Sequence, residues 1–280
     1  MSETDIHIAA DDRPLFHPRT SGRWGWPVAL GVALIAIGGV GYYLWQPPRT
    51  EAPATATVDA PAPATPRAEP GSAIEHPVEA TAAAPLPALS ESDGAVRDAL
   101  AALFGASTFD ALFRPTELVR NIVATVDNLP RKSVAARLVP LKPVPGAFRV
   151  SGRDSALAIA PDNASRYTPY VKAMDALDAP KLVALYVHLY PLFQQAYADL
   201  GYPSRYFNDR VFEVIDHLLA TPDAPGAIGL TQPKVLYEYA DPALAELSAG
   251  QKLLLRMGSE NEARVKAKLR EIKRALSRGN

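Results

Sequence analysis

The sequence predicts a mainly α-helical protein. It reads as a single compact multi-helix domain with a small β-hairpin or short β-sheet, preceded by one transmembrane helix and a disordered linker. Three observations carry this. No side chain between Arg23 and Arg49 is charged. From Pro47 to Leu89 there are 10 Pro and 13 Ala, with almost no large apolar residue before Leu86. Beyond Leu86 the apolar residues recur mostly at helical spacing.

The uncharged run holds 18 residues, Pro27 to Leu44, without a charge or an amide side chain. At ~1.5 Å per residue they make a helix of roughly 27 Å, close to the hydrocarbon thickness of a bilayer. Trp24 and Trp26 stand at one end and Tyr42, Tyr43 and Trp45 at the other, where aromatic rings favour the headgroup level. A cleaved signal peptide has an apolar stretch of about 7–15 residues and a small-x-small cleavage site. Here the run is longer and ends in Tyr42-Tyr43-Leu44-Trp45-Gln46-Pro47-Pro48, so a retained anchor over residues 24–46 is expected. Arg13, Arg19 and Arg23 precede it and only Arg49 follows closely, which places residues 1–23 in the cytoplasm as a disordered tail. Gly25, Ala29 and Ala33, spaced by four, leave a weak homodimer through the span open.

Residues 47–85 form the Pro/Ala-rich linker, too poor in apolar surface to offset chain entropy. In the extended polyproline conformation it would reach up to ~100 Å. Residues 86–280 are then the periplasmic domain, of a normal size for one core. The 280 residues contain no Cys, which excludes a disulfide framework, a thiolate nucleophile and a zinc–thiolate site.

Within the domain, Ser92 or Asp93 caps a helix carrying Val96, Leu100 and Leu103 that stops at Gly105. After a turn with Phe109, Leu112 and Phe113, Arg114-Pro115-Thr116 starts a helix with Val119, Ile122, Val123 and Val126 on one face, ended by Asn128-Leu129-Pro130. Phe148–Val150 and Ala156–Ile159 flank a polar turn and read as a hairpin. Residues 234–239 read as a third strand or as a helical turn from Pro233. A helix over 163–177 presents Tyr167, Tyr170, Val171 and Met174. In the next, over 181–200, Leu182, Leu185, Tyr186, Leu189, Phe193, Ala196 and Leu200 form one stripe, with Pro191 on the opposite face, where it can bend the helix without breaking the stripe. Helices over 204–220 and 249–257 follow. A last one after Gly258 opens on a Ser259–Glu262 capping box.

Asp209, Glu213 and Asp216 lie at i, i+4, i+7 and put three carboxylates on one helix face, the residue type that glycoside hydrolysis needs. Phe207, Val211, Val214, Ile215 and Leu218 claim the core side, so these carboxylates are expected to face water. His188 and His217 lack His-x3-His spacing and read as hydrogen-bonded structural residues; no metal and no cofactor is expected. Patterns for a nucleophile elbow, a Ser-x-x-Lys pair, a zincin or a phosphate loop are absent from the domain sequence. Tyr202, Tyr206 and Asn208, on or beside the Gly201-Tyr202-Pro203 turn, are candidates for a contact surface. The net charge of −1 hides a division: from Lys252 onward there are nine Lys or Arg against three Glu. Arg264, Lys268, Arg270 and Arg274 on the last helix are candidates for binding an anionic partner, a phospholipid headgroup or an acidic protein. Nucleic acid is not an expected partner.

Three stretches together resemble a known family: Val126–Arg131; Leu189–Tyr197 with Gly201–Pro203, Arg205–Arg210 and Glu213–Pro222; and Gln232–Tyr237 with Leu247–Gly258. They are similar to the proteobacterial domain-of-unknown-function family DUF3014 over roughly Leu86 to Ala275. The resemblance implies a Gram-negative inner-membrane protein with one N-terminal span, and it supplies no catalytic residues. The function expected is that of a non-enzymatic interaction or scaffold domain of the cell envelope, anchored in the inner membrane, with an unknown protein or envelope component as partner. A cell-wall hydrolase working through the acidic residues of the 204–220 helix is the alternative.

Overall fold

A computed structural model describes residues 73–78, 85–153, 156–224 and 226–278. Among them are nine α-helices: α1 (Asp93–Phe104), α2 (Ala106–Leu112), α3 (Leu118–Asn128), α4 (Thr168–Asp175), α5 (Ala179–Asp199), α6 (Phe207–Leu219), α7 (Pro242–Ala245), α8 (Ala249–Arg256) and α9 (Ser259–Leu276). The expected membrane span at 24–46 lies outside the described residues. No helix among those described is long and apolar enough to cross a membrane.

The mainly helical class and the hairpin are as expected. Strands β1 (Val150–Ser151) and β2 (Ala158–Ile159) pair antiparallel, Val150 with Ile159. The third stretch contributes only β4 (Glu238–Tyr239), which pairs with β3 (Leu230–Thr231). A single antiparallel bridge between Ala158 and Gly229 joins the two ladders.

α5 runs through the middle of the main core. Leu189, Tyr190, Leu192, Phe193, Ala196 and Tyr197 pack there with Val96, Leu100, Phe109, Leu112, Phe113, Leu118, Val119, Val123 and Phe207. Pro191 stays inside this 21-residue helix and is exposed, as its position on the wheel requires. Leu200, expected in the stripe, is 42% exposed because the helix has ended at Asp199. α9 packs through Val265 against Tyr167, Val171, Val214, Leu218 and Leu254, and through Leu276 against Val183, Phe212 and Ile215. The strands close over Leu255 with Leu230 and Tyr239.

Several helix starts differ from expectation. α3 begins at Leu118 rather than at Arg114–Thr116, because its cap comes from another helix. The Asp93 carboxylate accepts the amides of Glu117 (2.6 Å) and Leu118 (2.8 Å). Glu117 takes a left-handed φ of 49° to make that turn. The 163–177 helix starts as a 3-10 stretch over Pro161–Tyr167 before becoming α4. The Ser259–Glu262 box does not form. Glu262 pairs with Lys266 one turn on, at 2.7 Å, and Gly258 occupies the cap position with φ 83°. A capping box does form at α8, between Ser248 and Gln251.

Candidate functional site

α6 and the turn before it gather most of the residues that the sequence singles out. The turn Gly201–Tyr206 returns the chain from α5, and Gln194 on α5 fixes it by accepting the Phe207 amide at 2.8 Å and donating to the Arg205 carbonyl at 2.9 Å. Behind it lies an aromatic stack in which Tyr197 meets Tyr202 at 4.7 Å and Phe207 at 5.3 Å between ring centroids. Burial pushes the phenols of Tyr186 and Tyr190 up and that of Tyr197 up to about 12, so these rings stay neutral hydrogen-bonding groups.

Residues far apart in the sequence meet at the end of α3. Asp127, 3% exposed, accepts from Arg131 Nη2 (2.8 Å) and Arg210 Nε (3.0 Å), and Arg210 Nη2 donates to the Asp127 carbonyl (2.8 Å). The Tyr202 hydroxyl accepts from Arg131 at 2.7 Å. Two stretches that carry the family resemblance, Val126–Arg131 and Gly201–Arg210, are therefore two halves of one ion-pair network. Tyr202 is half-buried in it.

The acidic row does not converge. The Asp209 carboxylate accepts the backbone amides of Glu75 (3.3 Å) and His76 (2.7 Å). Glu213 is exposed and pairs with Arg210 at 2.9 Å, and Asp216, also exposed, pairs with Lys273 at 2.5 Å. His217 Nε2 lies 2.8 Å from Ser248 Oγ, and burial, followed by the Arg210 charge, lowers its pKa. Among the described residues no group of three or more His, Cys, Asp or Glu is placed to hold a metal ion.

A stretch of the chain itself covers Tyr206 and Asn208. The Tyr206 hydroxyl accepts the Val78 amide at 2.8 Å. Asn208 is corrected from surface to interior, being 0% exposed, because its side-chain amide donates to the His76 carbonyl (2.9 Å) and its oxygen accepts from Tyr186 (3.1 Å). The His76 ring stacks on Phe212 with centroids 3.8 Å apart, and Val78 packs against the main core. Residues 73–78, inside the tract read as linker, thus lie on the domain. A sparse apolar pattern hid them; Ile74, His76, Pro77 and Val78 were the signal available.

On α9 the cations separate into two sets. Arg264 Nε donates to Asp175 at 2.7 Å. Lys268, 9% exposed, donates to the Leu177 carbonyl at 2.8 Å and pairs with Glu271 at 2.7 Å, which corrects its reading as a surface residue. Lys266 is buried against Glu262 and Asp223. Burial alone would lower its pKa, but the two carboxylates outweigh that and hold it raised. Arg270, Arg274 and Arg278 are exposed and, among the described residues, have no ion-pair partner. They line a shallow recess at the end of α9 together with Lys273 and Ser277.

Two features were not read from the sequence. A recess of about 590 Å³ opens between β2 and the start of α9, lined by Ile159, Ala160, Ile228, Leu255, Met257 and Asn261 among others. The tip of the β3–β4 hairpin exposes Val235 (85%) and Leu236 (76%).

The chain belongs to the DUF3014 family, described as a protein of unknown function, whose model matches residues 118–273. No curated protein and no solved structure matches the chain.

Proposed function

We propose that this protein is a non-enzymatic interaction or scaffold protein of the Gram-negative cell envelope. Residues 24–46 anchor it in the inner membrane, and the helical domain works on the periplasmic side. The observation that carries the interaction reading is the row Arg270, Arg274, Arg278. Arg270 and Arg274 lie four positions apart on α9 and Arg278 follows four further on, two residues past its end; all three are exposed, while Arg264, Lys266, Lys268 and Lys273 on the helix are engaged within the domain. Three guanidiniums with no ion-pair partner among the described residues create a local positive potential and offer forked donors to carboxylates or phosphates. The partner is an anionic envelope component. The hydrolase alternative has no observation of its own, since Asp209, Glu213 and Asp216 serve three separate contacts.

The test is site-specific photocrosslinking in cells with benzoylphenylalanine at position 274. A discrete crosslinked species is expected, and replacing Arg270 and Arg278 by Glu should reduce its yield at least tenfold. Crosslinking that is unchanged by the reversal, or no more discrete than at an exposed control such as Ser204, overturns the reading.

A further inference from the structure

Residues 74–78 sit on α6 as a peptide sits on a receptor. Four backbone groups of this short stretch are read by side chains: the amides of Glu75 and His76 by Asp209, the carbonyl of His76 by Asn208, and the amide of Val78 by Tyr206. Pro77 has no amide to satisfy and fills the position between the bound amides of His76 and Val78. Only two side chains are gripped, His76 by stacking on Phe212 and Val78 by the core. Ile74, Glu75 and Pro77 remain exposed.

The receptor side is built independently of this segment. Asn208 is oriented by the Tyr186 hydroxyl, its own amide is held by Tyr190, and the Tyr206 ring leans on Tyr190 with centroids 5.2 Å apart. Polar side chains on a folded helix that point at the backbone of a short bent segment, with one flat aromatic seat and one aliphatic seat, are elements by which a protein can read a short peptide. In the resident segment the seats hold a flat ring and an aliphatic side chain, with proline between them.

We propose that the face formed by Tyr206, Asn208, Asp209 and Phe212 is a peptide-binding site for short ring-Pro-aliphatic segments, and that Ile74–Val78 is its resident intramolecular ligand. A tethered ligand is present at an effective concentration of the millimolar order, so a second peptide enters only when the resident one leaves. Exchange has a mechanical consequence. Releasing residues 74–85 adds roughly 40 Å of reach at ~3.1 Å per extended residue. That consequence alone rests on the anchor reading; the peptide site does not.

The experiment uses the full chain and a fluorescein-labelled peptide with the sequence of residues 73–79, Ala-Ile-Glu-His-Pro-Val-Glu. Anisotropy titrations compare the native chain, a chain whose resident segment is disabled by His76→Gly and Val78→Ser, and the disabled chain with Asp209→Ala added. The disabled chain is expected to bind at least tenfold more tightly than the native chain, and Asp209→Ala should abolish that gain. Tyr206→Phe serves as a second groove variant that keeps the ring and removes the acceptor for the Val78 amide; it should weaken binding severalfold. Equal binding by native and disabled chains, or a gain indifferent to both groove variants, overturns the proposal. Hydrogen exchange on the native chain is the second readout. The amides of His76 and Val78 should be protected at least tenfold, and exchange at the unprotected rate also overturns it. Neither readout requires membrane insertion, so failure here leaves the anchor reading standing.

Discussion

His217 ties the stability of the domain to pH in a definite direction. The ring sits beside Ser248, whose oxygen accepts the Gln251 amide of the α8 capping box, so the serine proton is available to a neutral imidazole. Burial and then the Arg210 charge lower its folded pKa below the usual 6.5. The unfolded chain therefore binds the proton more readily. The stabilisation is fully present above about pH 6.5 and is lost as pH falls through the lower folded value. Urea unfolding between about pH 5.5 and 7.5 should show stability falling toward the acid side. His217→Gln should flatten that slope, and a variant slope equal to the native one would count against the assignment. At this scale the sequence was partly readable. A hydrogen-bonded structural histidine was expected at 217, and its helix placement was right. Its partner was not readable, because Ser248 is 31 residues away and reaches it only through the packing of α8 on α6. Asp127 shows the same limit. Its arginines at 131 and 210 are named in the resembling stretches, yet only the fold joins them.

Helices were legible wherever a stop signal and an apolar stripe agreed. The stretch from Asp93 to Gly105 and the helices near 181–200 and 249–257 lie within a residue or two of expectation. Starts failed where the cap came from elsewhere in the fold, as with Asp93 on α3, or where a carboxylate found a stronger partner, as with Glu262. Two glycines make the distinction measurable. Gly94 and Gly250 both lie one residue inside a helix start, and the sequence does not tell them apart. A methyl group at Gly94 would meet nothing within 4 Å, whereas at Gly250 it would lie 2.6 Å from Leu218 Cδ2 and 3.1 Å from the Leu129 carbonyl oxygen. That carbonyl accepts the Gly250 amide at 2.9 Å, so it cannot retreat without loss. Gly94→Ala should stabilise by up to about 1 kcal/mol through helix propensity. Gly250→Ala should destabilise by about 1–3 kcal/mol through overpacking. Chemical denaturation of the pair checks the sign at each site, and equal effects would show that α8 packs less closely than its geometry indicates.

For the whole molecule, the proposed placement in the membrane rests on the arrangement of charge. Residues 252–280 carry nine basic and three acidic side chains, while the N-terminal flank holds Arg13, Arg19 and Arg23 ahead of the uncharged run. The folded part uses much of its C-terminal surplus internally, leaving Arg270, Arg274 and Arg278 outward. Lys and Arg close to a span resist translocation, whereas long domains cross largely regardless of charge. On the proposed anchor reading, the basic C-terminal end is far from the span in sequence and is no obstacle to export, and the three N-terminal arginines would hold their own side in the cytoplasm. The absence of Cys makes this directly testable, because any introduced thiol is the sole one in the chain. Ser204→Cys lies on an exposed turn of the domain, and Ser21→Cys lies in the N-terminal flank. With the outer membrane permeabilised and the inner membrane intact, an impermeant maleimide should label Cys at 204. It should label Cys at 21 only after lysis. Labelling in the reverse order would put the domain in the cytoplasm, and the arginine row would then face an anionic partner there rather than in the envelope space. Labelling of both positions before lysis, with inner-membrane integrity verified by an endogenous cytoplasmic thiol protein, would show that residues 24–46 do not span the bilayer with the two flanks on opposite sides.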